Sequence, residues 1–277
     1  MPDLLLATCS WFPDGEPGVA ALDRALAARG VSWRWERWDD PEVEWGAARM
    51  VAVRSTWDYD GRLEEFLAWV ERVGPRLLNG VAVLRWNTDK AYLCELADAG
   101  VPVVPTTRAD DADRVAEAVD RLGTAVVKPR VGAGGRGVQV VRAGEAFEPE
   151  HLGPWVVQPL VESVRTLGET SVFVMDGAAV SQVDKRPGAG EIRVHEHLGG
   201  TSTRVSVDPR AAEVATSALG TVADLLDADL AYGRVDLMRL EGRWVVGELE
   251  LTEPGLYLDL VPGNADHYAA TVARRLR

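Results

Sequence analysis

Cysteine is scarce. Cys9 and Cys94 are too few for a disulfide framework and point to a reduced setting. Four scattered histidines do not make a His-rich metal site. No run approaches the ~18 apolar residues of a membrane span. The opening MPDLLLATCSW has neither a basic segment nor enough apolar length for a secretory leader. A cytoplasmic location without a membrane partner is therefore expected. Positive charge is also short: 30 Lys and Arg stand against 43 Asp and Glu, a net charge of −13, which works against nucleic-acid binding. Repeats, low-complexity stretches and long linkers are missing. What is present is an ordinary globular composition, 47% hydrophobic and 26% charged, in 277 residues. That length suits about two domains with an ample core.

The stretch of strongest character is TAVVKPRVGAGGRGVQVV, residues 124–141, which reads as strand, glycine-rich loop, strand. Gly132, Gly134, Gly135 and Gly137 let the backbone approach a bulky anion with free N–H groups, and Lys128 and Arg136 add positive charge. The glycines fit G-x-G-x-x-G, but a dinucleotide fingerprint needs a helix next, and VQVV is β. The P-loop fails as well, because Val138-Gln139 stands where Lys and Ser/Thr belong. Two readings stay open: a hairpin folding over phosphates, or a flexible surface hairpin.

Upstream, strands at 3–9, 32–38 and 49–53 and helical patterns at 19–29 and 63–70 give β-α-β-β-α, an open α/β domain of roughly ninety residues. Ligands in such sheets sit beyond the carboxyl ends of the strands, which makes Arg54, Ser55, Thr56 and Asp58 of RSTWDY candidate substrate contacts. Alternatively, Trp57 and Tyr59 simply pack that loop on the next domain. Thr88 is a candidate N-cap of a helix carrying Tyr92, Leu93 and Leu96. Lys90, in its first turn, opposes the helix dipole, which argues for an anionic partner, while this feature by itself favours a solvated surface lysine.

Residues 101–158 read as a small α/β module holding the glycine loop, with a helix at 110–122. Gln158 and Glu162, at its junction with the rest of the chain, are candidate adenine and ribose contacts. Asp176-Gly177 marks a hairpin whose second strand delivers Lys185. A helix at 211–226 is expected to bury Val214, Ala218, Val222 and Leu225, and another at 263–276 closes the chain.

Residues 232–240 and 243–251 form an acidic hairpin. Arg234 and Asp236 share one face, as do Glu248 and Glu250, because strand side chains alternate. Centring on Gly242, with a three- or five-residue loop, sets Asp236 opposite Glu248 and Arg234 opposite Glu250. A two-residue turn at Glu241-Gly242 would put the acids on opposite faces. Converging carboxylates need a counter-charge, and Mg²⁺, which takes hard oxygen ligands and nucleotide phosphates, fits. Arg234 could also supply that charge itself.

Taken in order, Lys90, Lys128-Pro129 with the glycine loop, QPLVE at 158–162, Arg234-Val235-Asp236 and Glu248-Leu249-Glu250 resemble the ATP-grasp enzymes along essentially the whole chain. RSTWDY, WNTDKAYL and ELELTEP resemble the O-ureido-serine cyclo-ligase branch of cycloserine biosynthesis and the ribosomal-protein glutamate ligases. The resemblance implies an α/β fold, α+β in its C-terminal part, in three pieces: a substrate domain (1–90), a lid subdomain (91–158) and a C-terminal subdomain with the metal-binding hairpin (159–277). ATP would lie between the last two, with Lys90, Lys128 and the loop at Gly134, Gly135, Arg136 and Gly137 on its phosphates. Gln158, the Leu160 backbone and Glu162 would line the adenosine pocket, with Lys185 nearby. Asp236, Glu248 and Glu250 would hold two Mg²⁺ ions, Mn²⁺ being an acceptable substitute, although many members have Asn at the position of Glu250. A homodimer is expected on family grounds alone.

The implied chemistry is ADP-forming carboxylate–amine ligation of a small amino-acid-like substrate through an acylphosphate. Phosphoryl transfer needs positioning and charge neutralisation rather than a protein nucleophile. Arg234 and Arg193 are the candidate oxyanion stabilisers, and His195 a candidate proton carrier. An intramolecular cyclo-ligase is the close variant. A non-catalytic ATP sensor, from another class, could dispense with Arg234 or the acids, yet the chain retains them.

Overall fold

The first apolar run, LLLAT, becomes β1 (Leu4–Thr8), buried at every residue. The computed structural model describes residues 1–149 and 153–277. β1 is the middle strand of a parallel sheet ordered β2-β1-β3, with β2 at Trp33–Arg37 and β3 at Met50–Ser55. A strand covered on both faces reads as continuous apolar sequence rather than alternation. On one face, Leu5 and Ala7 pack with Phe66, Trp69 and Val70 of α2 (Leu63–Val73). On the other, Leu4 and Leu6 meet α1 (Val19–Ala27) and residues 265–272 of the chain's closing helix. The first sheet is thus completed by the other end of the chain.

Two helices precede the middle of the chain, α3 (Val81–Asn87) and α4 (Tyr92–Asp98). The sequence suggests only the second, and the expected Thr88 cap is displaced. Thr88 turns its hydroxyl back onto Arg85 O at 2.9 Å, as the last turn of α3, and Asp89 Oδ1 accepts from Ala91 N at 2.9 Å instead. Lys90 therefore stands just before α4.

The middle module packs α5 (Ala112–Leu122) on a sheet ordered β4-β7-β5-β6, from β4 (Thr107–Ala109), β5 (Thr124–Pro129), β6 (Gln139–Arg142) and β7 (Trp155–Pro159). Each pairing is antiparallel. Asp111 caps α5 by accepting from Arg114 N.

After the short helix α6 (Ser163–Thr166) comes an antiparallel sheet ordered β10-β9-β8-β11-β12. Its strands are β8 (Glu169–Met175), β9 (Ala178–Arg186), β10 (Thr201–Val205), β11 (Tyr232–Leu240) and β12 (Arg243–Glu250). Helix α7 (Pro209–Leu226) covers one face through Ala211, Ala215, Ala218, Leu219 and Val222. Leu225 falls off this stripe and is 49% exposed, contrary to the expected register. Closing helix α8 (Gly263–Arg275) lies against α1 and shares their apolar cluster with Phe173 and Met175 of β8.

The β11–β12 hairpin reaches the expected pairing by the route the sequence argues against. Leu240 pairs Arg243 across a two-residue turn in which Glu241 and Gly242 have φ of 51° and 78°. That turn alone would send the acids to opposite faces. A bulge restores them: Leu237 pairs Val246 and Asp236 pairs Glu248, leaving Gly247 over, so Arg234 meets Glu250. Deleting Gly247 is accordingly expected to turn Glu248 and Glu250 away from Asp236 and abolish Mg-dependent ADP release in a chain that keeps its circular-dichroism spectrum. Unchanged turnover would contradict that role for the bulge.

Candidate active site

A cavity of about 700 Å³ lies between the β5–β6 hairpin and the β11–β12 hairpin, open to the carboxyl ends of β1 and β3. Its volume is that of a small-molecule site.

The hairpin loop supplies positive charge. Gly134, Gly135 and Gly137 have φ of 63°, 72° and 68°. Gly135 lies so close to residues 193–195 that a Cβ would come within 3.0 Å of the His195 ring and 3.2 Å of Arg193. Glycine here lets the loop close over that segment. Lys90 Nζ donates to Gly132 O at 2.6 Å and pairs with Glu248 at 3.2 Å. Burial disfavours its ammonium, but Glu248, with Glu253 and Glu250 beyond, more than offsets this and raises the pKa. Lys128 differs: its Nζ makes no hydrogen bond or ion pair among the described residues. Burial lowers its pKa, and the more distant Glu248 and Glu169 do not restore it. A half-buried, partly desolvated ammonium without a partner suits an anion.

Opposite lie the acids. Asp236 accepts from Ser171 Oγ at 2.5 Å, from Arg234 Nε and Nη2 at 3.0 Å and from Lys185 Nζ at 3.0 Å. Burial opposes its charge, but Arg234 and Lys185 hold its carboxyl well below the usual range. Lys185 also pairs with Glu169 at 2.5 Å. Glu250 pairs with Arg234. Burial nonetheless pushes Glu250 up to about 8, because Asp236, Glu248 and Glu253 counteract the arginine. Burial likewise raises Glu253 to about 7.

This excess of carboxylate suits a divalent cation. Among the described residues no group of three or more His, Cys, Asp or Glu forms a ready metal cage. Magnesium does not require one, since it is commonly held by one or two carboxylates and substrate phosphates. The side chains of Glu248 and Glu250 keep 31% and 25% exposure, whereas that of Asp236 keeps 4% and is saturated by cationic donors. Of the expected trio, Glu248 and Glu250 thus have oxygens to offer.

The other expected residues divide. Gln158 and Leu160 line the cavity, although Gln158 Nε2 is engaged with Thr106 Oγ1 at 2.9 Å. Arg193 lines it too, bonded to Glu191 at 2.6 Å and Gly135 O at 3.4 Å. Glu162 turns outward to Arg165 at 3.3 Å, its side chain 73% exposed, and does not line the cavity. Arg136 reaches across the loop to Asp60 at 2.7 Å and Trp57 O at 3.0 Å, where the sequence suggests phosphate.

The substrate quartet is corrected. Arg54, Ser55, Thr56 and Asp58 lie behind the cavity wall. Arg54 is fully buried against Glu16, Pro254 O and the rings of Tyr232 and Tyr268, where it ties the first sheet to the last segment. Ser55 bonds Thr8 at 2.7 Å, and Asp58 accepts from Trp38 Nε1 at 2.8 Å. The cavity receives Trp57 and Tyr59 from that loop. Glu169, Glu253 and Tyr257 also face it. Of these, Glu253 has a visible signal in ELELTEP, one step past the alternating acids.

His195 lines the cavity with Nδ1 buried and unbonded among the described residues. Burial, reinforced by Lys185, lowers its pKa from the ordinary 6.5 to about 4. The imidazole is therefore neutral at physiological pH. Because the folded value is the lower one, the fold loses stability as pH falls from 6.5 towards 4. NMR titration of His195 should give a midpoint near 4, and His195→Gln should reduce the fall in melting temperature between pH 7 and pH 5. A midpoint at the ordinary value would contradict the burial.

Comparison with known proteins gives the following. Residues 4–79 match the family model "D-cycloserine synthetase DcsG, N-terminal domain", and residues 96–229 match "Prokaryotic glutathione synthetase, ATP-grasp domain". The chain is 36% identical to the cycloserine biosynthesis protein DcsG of Streptomyces lavendulae over 265 residues, 87% of each chain. The crystal structure of D-cycloserine synthetase DcsG superposes with a TM-score of 0.88 at 32% identity, covering 99% of both chains. A D-alanine–D-alanine ligase from Bacillus anthracis shares the fold, with a TM-score of 0.67 at 15% identity over 98% of this chain and 96% of that one.

Proposed function

Because this chain belongs to the ATP-grasp family of ligases, we propose that it joins a carboxylate to an amine on a small amino-acid-like substrate, forming ADP through an acylphosphate. The observation that carries this reading is Lys128, a half-buried ammonium with no ion pair among the described residues, lining the same cavity as Glu248 and Glu250. Lys90 and Lys128 bind the phosphates beneath the glycine loop, and apolar side chains such as Val126, Val161 and Met238 offer a wall for the base. Mg²⁺, held by Glu248 and Glu250 with Asp236 behind them, supplies neutralisation of phosphate charge when bound. Two ions, and Mn²⁺ as a substitute, belong to this proposal.

The steps balance without a protein nucleophile. An oxygen of the substrate carboxylate bonds to the γ-phosphorus as the bond to the ADP oxygen breaks. The amine nitrogen then adds to the acyl carbon. The C–O bond breaks, phosphate leaves with its electron pair, and the amine loses a proton. Arg234, oriented by Asp236 and Glu250, stabilises the oxyanion of the addition step. His195, a neutral imidazole lining the cavity, is the proton acceptor of this proposal.

A second reading has both groups on one molecule, so that ligation closes a ring. It is favoured by the match to the DcsG N-terminal domain and by alignment over 87% of DcsG. Coupled measurement of ADP release from Mg-ATP with O-ureido-serine, against simple amino-acid and amine pairs, tests both. Release with O-ureido-serine alone supports ring closure, release with a separate amine supports the intermolecular form, and release with no carboxylate refutes the ligase.

The parts 1–90, 91–158 and 159–277 each take one sheet to within a residue, with α8 returning to the first. No helix among the described residues is long and apolar enough to cross a membrane. A cytoplasmic location and a homodimer complete the proposal.

A further inference from the structure

The cavity ends differently on its two sides. One side is walled by Trp57 and Tyr59, where Arg136 of the glycine loop reaches Trp57 O, and by the segment that follows β12. Within that segment Glu253 lines the cavity and is 9% exposed. The neighbouring acids are matched. Glu16 holds Arg54 and the Leu256 N–H, Glu250 holds Arg234, and Glu248 holds Lys90. Glu253 has the Tyr59 hydroxyl as a hydrogen-bond donor, but no cation stands within ion-pair range of it among the described residues. A buried carboxylate without a counter-charge is costly unless a ligand supplies one.

Its surroundings select the kind of cation. Trp57 Nε1 donates to the Glu253 carbonyl at 3.0 Å, and the Trp57 ring is held edge-on by Phe12 at 4.9 Å. The backbone that carries Glu253 and the Trp57 ring are therefore fixed to each other. Tyr257 also lines the cavity, its ring centre 5.9 Å from the Arg234 guanidinium. Aromatic faces beside a carboxylate favour an ammonium. Arg234 Nη1 donates to Gly255 O at 3.2 Å, which tethers the segment carrying Glu253 to the cation expected to meet the reacting carboxylate. A carboxylate receptor and an amine receptor thus stand side by side.

We propose that Glu253 receives the ammonium group of an α-amino-acid substrate whose carboxylate faces Arg234, with Trp57, Tyr59 and Tyr257 as the walls of that subsite. The assignment rests on the ligase reading and deepens it: the substrate class is one that keeps a free cationic amine through the reaction, and N-acylated analogues are excluded.

Calorimetry in the presence of Mg-ADP, with each enantiomer of serine and of its N-acetyl derivative, tests the subsite independently of turnover. The wild type should bind a free amine and discriminate against its acetylated form. Glu253→Gln should weaken the free amine roughly 30-fold, the loss expected for one partner of a buried charge pair. ADP affinity and the Mg²⁺ requirement should stay as in the wild type, and Glu253→Asp should recover part of the loss. KM for O-ureido-serine should rise with KM for ATP unchanged. Equal binding by folded Glu253→Gln, no discrimination by the wild type, or a shift in Mg²⁺ requirement in place of amine affinity would each overturn the assignment. Glu253-dependent amine binding without ADP release from any carboxylate would sink the ligase reading and leave the subsite standing. ADP release indifferent to Glu253 would do the reverse.

Discussion

Lys128→Met should make the nucleotide-free protein more stable and the enzyme far worse. Lys128 carries a half-buried ammonium with no partner among the described residues, and desolvation already lowers its pKa. Methionine keeps much of the aliphatic stem and removes the desolvated charge. A gain on the order of 1 kcal/mol, about 2–4 °C in melting temperature, is expected. The same substitution removes a fixed cation from the phosphates, where a single preorganised donor is worth about 10²–10³ in rate. The stabilisation normally given by Mg-ADP should shrink correspondingly. Thermal unfolding with and without Mg-ADP, alongside kcat/KM for ATP, checks all three. A destabilised variant with normal kinetics would mean that the lysine serves the fold.

Glu248→Gln and Asp236→Asn should separate two roles that the sequence runs together. Glu248 pairs with Lys90, which keeps its bond to Gly132 O when the acid is gone. Turnover should fall about 10²–10³-fold with a melting temperature close to wild type. Asp236 anchors both Arg234 and Lys185 from a buried position. Neutralising it takes one carboxylate from two buried cations, leaving Lys185 with Glu169 alone and Arg234 with Glu250 alone, at a cost on the order of 2 kcal/mol, or about 6 °C. Melting curves and Mg²⁺-dependence of ADP release distinguish the two. Equal destabilisation would refute the division of labour.

The hairpins show what the sequence can carry. Alternation placed Arg234 with Asp236 and Glu248 with Glu250, and the glycine loop between two β patterns located the lid. These are local signals, written in adjacent residues. The bulge at Gly247 was illegible because a glycine inside a strand does not declare whether it is paired. It changed the turn while leaving the pairing of the acids as expected. The RSTWDY loop misled for a related reason. The topological rule finds the correct strand end but not the side toward which each residue turns, and the polar side chains went inward to Glu16, Thr8 and Trp38 while the aromatic ones faced the cavity. Glu162 is suggested by its place at the domain junction and by the QPLVE resemblance, whereas in the fold it lies at an exposed helix start beside Arg165. Glu253 needed the fold, because its isolation among matched acids exists only in three dimensions.

The central claim is that the lid lysines and the acidic hairpin hold a nucleotide so that a substrate carboxylate takes its terminal phosphoryl group. Its most direct test is to supply O-ureido-serine labelled with oxygen-18 in the carboxyl group and examine the released phosphate by phosphorus NMR. An acylphosphate route transfers one carboxyl oxygen to phosphate in each turnover, so labelled phosphate should accumulate in step with ADP. ADP formed with unlabelled phosphate would contradict the account.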